Sequence, residues 1–463
     1  MKRMVAIIVI ILLLMPLNQS KEAFKSKSLP SKEDVFGFIL ALQKRMEKLK
    51  FNKDANLIEE IIVETGKIDY ATNDSNPLKD AIKEFYEAEG IEYDEDELNA
   101  FLDEATKVFT TKQCYAIALL LFSYSHVLEA TSRREEIENV IELYQNVRKT
   151  SYLLDNCSLN ESVADKYNAI IFGSIENSMY NEYKFIIDFG GNDFYMHNNN
   201  SFLLDLKGED EYKSNLSYGI NLIFDLAGND SYNDFPYVIN SINFLFDLKG
   251  NDEYYGRVAS SYENGMAILI DIEGNDIYEG ENFTQGYSEG GVSLLMDIRG
   301  DDIYKASSYC QASGEKGGIA CVADFYGNDA FFAKDYAQAY ANGLEHRSAV
   351  IFLNLAGNDY YDAENFCQGY GEQLGVAIFC DFIGDDVYYA KQFSQASSSF
   401  MGVAALLDVD GRNKFYSGLF SQGNKKWGGY SFFLNKDFED IYGVIDFISS
   451  LNINLWDLLS NFL

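Results

Sequence analysis

Positive charge is scarce in this sequence. Lys and Arg number 37 against 72 Asp and Glu, so the formal net charge is −35 over 463 residues. A surface this acidic repels phosphate backbones, which argues against nucleic acid as a partner and suits cations instead. Histidine is scarcer still, with His126, His197 and His346 as its three copies, and neither His126 nor His197 has a recognisable partner. Between residues 31 and 157 there is no metal-ligand spacing, phosphate loop or nucleophile motif. Six cysteines are present, but a chain this long needs no disulfide framework. Cys310 and Cys367 fall at one repeat position, where neighbouring repeats carry Thr284, Ala337, Ser394 and Ser421, so a small buried side chain explains the position. Only 4 prolines, with 47% hydrophobic and 15% aromatic residues, exclude disorder for most of the chain.

Long apolar runs are also few. Lys2 and Arg3 precede an unbroken run from Met4 to Met15 and then Pro16, the order of a secretory signal peptide over residues 1–20. Leu17-Asn18-Gln19-Ser20 fits a small-x-small cleavage pattern poorly, so an uncleaved anchor is the alternative. Either way the expectation is an exported protein, secreted or held at the cell envelope. The second run, Cys114 to Phe122, is broken by Ser123, Ser125 and His126 and reads as a buried helix, not a span.

Residues 31–157 read as an α-helical domain. Ser31 and Asp34 resemble a capping box opening a helix through Phe36, Ile39, Leu42, Met46 and Leu49. Gly66 and Gly90 mark helix stops, and Pro77 sits at a first-turn position. Further helices are expected over 95–109, 113–131 and 133–155, with Glu135, Glu136, Glu138 and Glu142 on a solvated face.

From Phe185 onward one unit recurs: three apolar residues, Asp, an apolar residue, any residue, then Gly-[Asn/Asp]-Asp-x-[Tyr/Phe]. Its glycines run from Gly191 to Gly411 at spacings that grow from 17 to 30 residues. Worn copies flank the array, one ending at Tyr180 and one at Tyr442. Regular units with atypical ends describe a solenoid with capping coils. The expected fold is therefore an all-β parallel β-solenoid (β-helix) over 166–445, of about ten to twelve coils, closed by a C-terminal cap at 446–463. Short early coils hold two strands and long late coils three, so the solenoid tapers toward the helical domain. That domain is expected to cover the narrow end or part of an outward apolar stripe that includes Leu269 and Leu295.

Within each strand, period two places positions −3, −1 and +1 relative to the first Asp on one face. Ile268, Ile270 and Ile272 are expected to point inward, leaving Leu269, Leu295, Phe352 and Phe379 outward on the side of the Asp. The turn glycine is expected to take an unusual backbone conformation. Tyr278, Tyr304, Phe331, Tyr361 and Tyr388 should stack as a core ladder. Gln285, Gln311, Gln338, Gln368, Gln395 and Gln422 each lie nine residues after the second acidic position. They form either a buried amide ladder or, with Tyr287, Tyr340 and Tyr370, a groove for glycans.

Stacked turns lie about 4.8 Å apart, where two unpaired carboxylates repel by about 3.5 kcal/mol at an effective dielectric near 20. Backbone N–H groups are one answer to that charge; a file of Ca²⁺ ions with oxygen ligands is another. The stretch Asp271, Asp276, Asp297, Asp301 and Asp302 brings the most carboxylates to two neighbouring turns. At Gly-Asn-Asp-x-Tyr, as in Gly228-Asn229-Asp230-Ser231-Tyr232, the sequence resembles the calcium-binding glycine-rich repeats of exported bacterial toxins and proteases, the RTX family. The resemblance spans roughly residues 188–442, although that family repeats every nine residues and this chain every 17–30. It implies Ca²⁺ between turns, with Asp193, Asp230, Asp252, Asp276, Asp302, Asp329, Asp359 and Asp386 as ligands.

The functional expectation is an exported acidic scaffold, Ca²⁺-stabilised, that binds a protein or glycan at the cell surface. The alternative is a carbohydrate-active enzyme, a polysaccharide lyase or hydrolase on a β-helix. Its site would sit where one coil breaks the consensus, at Glu345, His346 and Arg347 inside the 30-residue spacing, just before Asn354 replaces the usual Asp.

Overall fold

The computed structural model describes residues 76–435, apart from 182, 198–199, 215–217, 345 and 409–410. The expected leader, the helix opening at Ser31, Glu345, the turn ending at Tyr442 and the cap at 446–463 lie outside the described residues. Among the described residues four helices come first: α1 (Pro77–Ala88), α2 (Glu95–Val108), α3 (Thr111–Glu129) and α4 (Arg133–Leu154). Each starts on a side chain that accepts an orphan backbone N–H, as helix N-termini require. Asn76 caps α1 ahead of Pro77, Asp94 caps α2, Thr110 forms a capping box with Gln113 on α3, and Ser132 caps α4. The apolar run from Cys114 is α3, whose Ile117, Leu120 and Leu121 are fully buried. No helix among the described residues is long and apolar enough to cross a membrane.

The remaining chain winds into a parallel β-solenoid. Val163–Ala164 pairs antiparallel with Ile170–Phe172 and closes its first edge. From there one sheet stacks a strand from every coil, through Phe185–Asp188 and Met266–Asp271 to Tyr430–Asn435. A second sheet carries the short strand after each acidic turn, from Met179–Tyr180 to Lys414–Tyr416. The third begins only at Tyr237–Ile239 and has 7 strands. Early coils thus have two sides and later ones three, the taper that the growing spacing predicts. The expected ten to twelve coils correspond to about seven full three-sided turns, because the narrow coils before Tyr237 lack the third strand.

Register is fixed by the repeat: Asp271 pairs with Asp247 on one side and Asp297 on the other. The expected facing of these strands is reversed. Leu269 and Asp271 are both fully buried, and the interior cluster is built from the −2 column, including Leu245, Leu269, Leu295, Phe352 and Phe379, packed on the stacked tyrosines. Positions −3 and −1 therefore face outward. The helices cover them in the early coils: Tyr124 lies 5.7 Å from Phe202, and Tyr144 lies 5.2 Å from Phe246 and 6.5 Å from Phe224. Near the narrow end Phe101 stacks on Phe172 at 5.7 Å. The helical domain does cover an outward stripe, but it is this one. Strands apolar on both faces leave the choice of inside to the polar residue among them, and the Asp finds its donors only within the coil.

The turn glycines are also explained differently. From Gly208 to Gly384 they lie outside the left-handed region. Their requirement is space, because the Asp two residues later folds its carboxylate back over the glycine. A Cβ on Gly274 would stand 2.3 Å from Asp276 Oδ1 and 2.5 Å from Gly250 O. Left-handed backbone occurs instead at the Phe/Tyr-x-Gln corner, with φ of 58° at Phe283 and 51° at Gln285.

Candidate metal centre

Two files of carboxylates run along the inside of the solenoid. The strand file is the last residue of each long strand and includes Asp225, Asp247, Asp271, Asp297, Asp324 and Asp381, all fully buried. The turn file is the second acidic residue of each turn. Asp230, Asp252, Asp276, Asp302, Asp329, Asp359 and Asp386 are at most 2% exposed, and Asp193 and Asp210 are 4%.

Each file has its own donors. In the turn file the backbone N–H of one Asp donates to Oδ1 of the Asp in the next coil: Asp230 to Asp252, Asp252 to Asp276 and Asp276 to Asp302, each at 2.6 Å. The step repeats to Asp386, whose N–H donates to Asn413 Oδ1 at 2.8 Å. In the strand file, Oδ1 of Asp225, Asp247 and Asp297 accepts the backbone N–H two residues on, at 3.1 Å from Arg299 to Asp297, whereas Oδ1 of Asp271, Asp324 and Asp381 is buried without a partner. Its Oδ2 meets tyrosine hydroxyls. Tyr232 OH lies 2.8 Å from Asp225 Oδ2 and 2.7 Å from Asp247 Oδ2; Tyr254 OH lies 3.2 Å from Asp247 Oδ2 and 2.6 Å from Asp271 Oδ2. These tyrosines are the expected core ladder, with Tyr254, Tyr278 and Tyr304 stacked at 4.6 and 4.5 Å.

The exception in the ladder is informative. Phe331 has no hydroxyl, and the strand paired to its neighbour carries Asn354 where Asp is the rule. Where the hydroxyl disappears, one carboxylate disappears with it. The buried amide of Asn354 has no hydrogen-bond partner, nor does Asp324 Oδ1.

The turn file leaves one oxygen per coil unanswered. Oδ2 of Asp193, Asp210, Asp230, Asp252, Asp276, Asp302, Asp329, Asp359 and Asp386 is buried and has no hydrogen-bond partner. These oxygens face the strand file. Five groups of three carboxylates have oxygens within 4.8 Å of one another: Asp225/Asp230/Asp247, Asp247/Asp252/Asp271, Asp271/Asp276/Asp297, Asp302/Asp324/Asp329 and Asp359/Asp381/Asp386. Such clusters could hold a metal ion. Burial and the neighbouring carboxylate push the acids far up. Asp230, Asp276 and Asp302 rise to about 11, Asp252 and Asp359 to about 9. Asp297 rises only to about 6, because the Tyr278 hydroxyl offsets its burial.

Of the residues singled out from sequence, nine fall in these clusters: Asp230, Asp252, Asp271, Asp276, Asp297, Asp302, Asp329, Asp359 and Asp386. Asp193 is buried with the same orphan oxygen, outside the five groups. Asp301 does not converge with them. It is exposed, in an outer ladder where Asn275, Asp301 and Asn328 cap one another's turns, and it accepts the Asn328 N–H at 2.8 Å. Sequence reasoning missed Asp225, Asp247, Asp324 and Asp381 as site residues. Their recurrence in every clear unit but the one with Asn354 was the signal, obscured by placing them on the outward face.

The Gln column is a buried amide ladder: Gln311 Nε2 donates to Gln285 Oε1 at 3.1 Å, and the step recurs through Gln422. All six cysteines are free, and burial pushes the Cys367 thiol up to about 12. His126 does have a neighbour, Glu84, at 3.5 Å on the helical surface. His346 and Arg347 are exposed on their loop. No family model, no curated protein and no solved structure matches this chain.

Proposed function

We propose that this chain is an exported, acidic β-solenoid scaffold that presents a binding surface, with its interior carboxylate files neutralised by Ca²⁺. One observation carries the cation: each of the five clusters brings three buried carboxyl oxygens together, and a carboxyl in each has an oxygen without a partner. Hard oxygen donors suit Ca²⁺, and the RTX-like turn motif supports the same ion. Asp225, Asp230 and Asp247 would hold it in one cluster, and Asp271, Asp276 and Asp297 in another. A bound ion supplies the positive charge that the stacked carboxylates otherwise lack. The apolar leader at Met4–Met15 supports export.

A proton is the second reading, and the tyrosines favour it. Tyr254 has one hydroxyl hydrogen and two carboxylate oxygens within reach, so one of the two acids must bring a proton of its own. The two readings separate in one experiment on the full chain. Metal analysis after purification, with melting in chelator and in millimolar Ca²⁺ at several pH values, reads both. Ca²⁺ raises the melting temperature if it binds the native chain, more so at high pH, where ligands are deprotonated. A melting curve unmoved by either condition, with no metal in the protein, rejects Ca²⁺.

A further inference from the structure

The repeat breaks its own pattern at the C-terminal coils, outside the carboxylate files. In the third sheet, the residue following the short strand is Asn240, Glu263, Gly290, Lys316, Gly343, Gln373 and Phe400 in successive coils, and the Ser398–Lys425 bridge brings Trp427 into the same register one coil later. Phe400 and Trp427 stack at 4.5 Å and are 46% and 67% exposed. On the other side of the same strands runs the aromatic column of the Gln corner, where Phe366, Phe393 and Phe420 stack at 5.1 Å. Two aromatic walls therefore flank the last strands of the sheet, whereas earlier coils have one. Between them lies a cleft of about 220 Å³.

Its floor is polar and carries both signs of charge. Glu372, Ser399 and Lys426 occupy one column of successive coils, and Tyr370, Ser397 and Asn424 the neighbouring one. Glu372 accepts from the Tyr340 hydroxyl at 2.8 Å, and the Tyr370 hydroxyl meets Ser399 Oγ at 2.9 Å. Lys426 Nζ lies over Phe420 and Phe393, 3.5 and 4.7 Å from the ring centroids. Asn424 lines the cleft, and its buried Nδ2 has no partner. Local charge also departs from the rest of the molecule: residues 411–435 contain Arg412, Lys414, Lys425 and Lys426 and no acid, in a chain of net charge −35.

We infer that this cleft binds a saccharide, the terminal units of a neutral oligosaccharide. The inference deepens the reading of the chain as a binding scaffold and rests on it. A purely apolar ligand would leave the Asn424 amide unanswered, at the cost of an unpaired buried polar group. A cationic ligand meets Lys426, and an anionic one meets Glu372. Sugar hydroxyls both donate and accept, so one ligand can satisfy Glu372, Asn424 and the serine hydroxyls together. The apolar C–H face of a pyranose fits the exposed faces of the aromatic walls, the usual division of a pocket into apolar area and a few orienting polar groups.

Trp427 and Trp456 are the two tryptophans of the chain, so Trp456→Phe isolates a reporter in the cleft. The full-length variant is titrated with cellohexaose and with chitohexaose, and with hexalysine and hexagalacturonate as charged controls. The expected result is a saturable change in Trp427 fluorescence with a neutral oligosaccharide, at millimolar Kd or tighter. Glu372→Gln and Asn424→Ala should each weaken it by about tenfold, the scale of one lost polar contact. Calorimetry on Trp427→Ala, which is expected to fold because the side chain is largely exposed, should show binding lost. No saturation by either neutral probe, undiminished affinity in these variants, or preferential binding of a charged control would each overturn the inference. The interior cation is read by melting and the cleft by titration, so either can fail alone.

Discussion

Asn275 and Asp276 are neighbours in one turn, yet the first is exposed and the second is 1% exposed. Both belong to ladders that tie coil to coil, and the ladders run in opposite directions. On the outside, Asp301 N–H of the later coil donates to Asn275 Oδ1 of the earlier one at 2.8 Å. On the inside, Asp276 N–H of the earlier coil donates to Asp302 Oδ1 of the later one at 2.6 Å. The outer position accepts Asn, Asp, Glu209 and even Arg412, whereas the inner one, after Ser178 in the first coil, is Asp in every coil until Asn413. Water answers an imperfect partner outside; inside, an unanswered polar atom keeps its full desolvation cost.

The largest expected effect comes from the glycine on which the inner ladder rests. Gly274→Ala drives a methyl group into Asp276 and the Gly250 carbonyl, and should cost about 3 kcal/mol or more, since overpacking and a displaced buried carboxylate add. Urea unfolding midpoints measure it; a loss below about 1 kcal/mol would show that the turn relaxes easily.

Next in size is the hydroxyl between coils. Tyr254→Phe strips a partner from two buried carboxyls and should cost about 2–3 kcal/mol. Adding Asp271→Asn should cost less than the sum of the two single changes, because the chain already pairs Phe331 with Asn354. A double-mutant cycle with additive energies would break that argument.

The inner file also sets the response to pH. Asp276 and Asp302 stand at about 11 in the folded chain, well above an unfolded aspartate. Their folded pKa is raised, so the native state holds protons that the unfolded state releases. In chelator, stability should therefore fall as pH rises from 5 to 9. If Ca²⁺ binds these clusters, it displaces those protons and should flatten or reverse the slope. Chemical denaturation across that range reads the sign directly.

The smallest effect belongs outside. Asn275→Ala removes an exposed cap and should change stability by about 0.5 kcal/mol or less. A larger loss, measured by the same unfolding curves, would erase the distinction between the two ladders.

Much of this architecture was legible before the structure. Pro77 marked one helix start, and the observed helix ends lie within two residues of those expected from 95 onward. Parallel stacking, the taper and the Gln ladder followed from constant wording at changing spacing. The inner carboxylates were harder to place. Leu269 and Ile270 are both apolar, so alternation carried no inside or outside, and the turn glycine looked like a backbone device because its steric neighbour, Asp276, is brought back over it only by the fold.

The amino-acid sequence by itself determined the solenoid, since one unit that cannot bury its apolar face alone must stack on copies of itself. It also determined which residues share a column, since identical units in register superimpose. Only the tertiary structure decided which column faces the interior and which donors meet each carboxylate. That choice depends on where Tyr254, from the next strand, and Tyr144, from a distant helix, come to lie, and no period within a single strand encodes it.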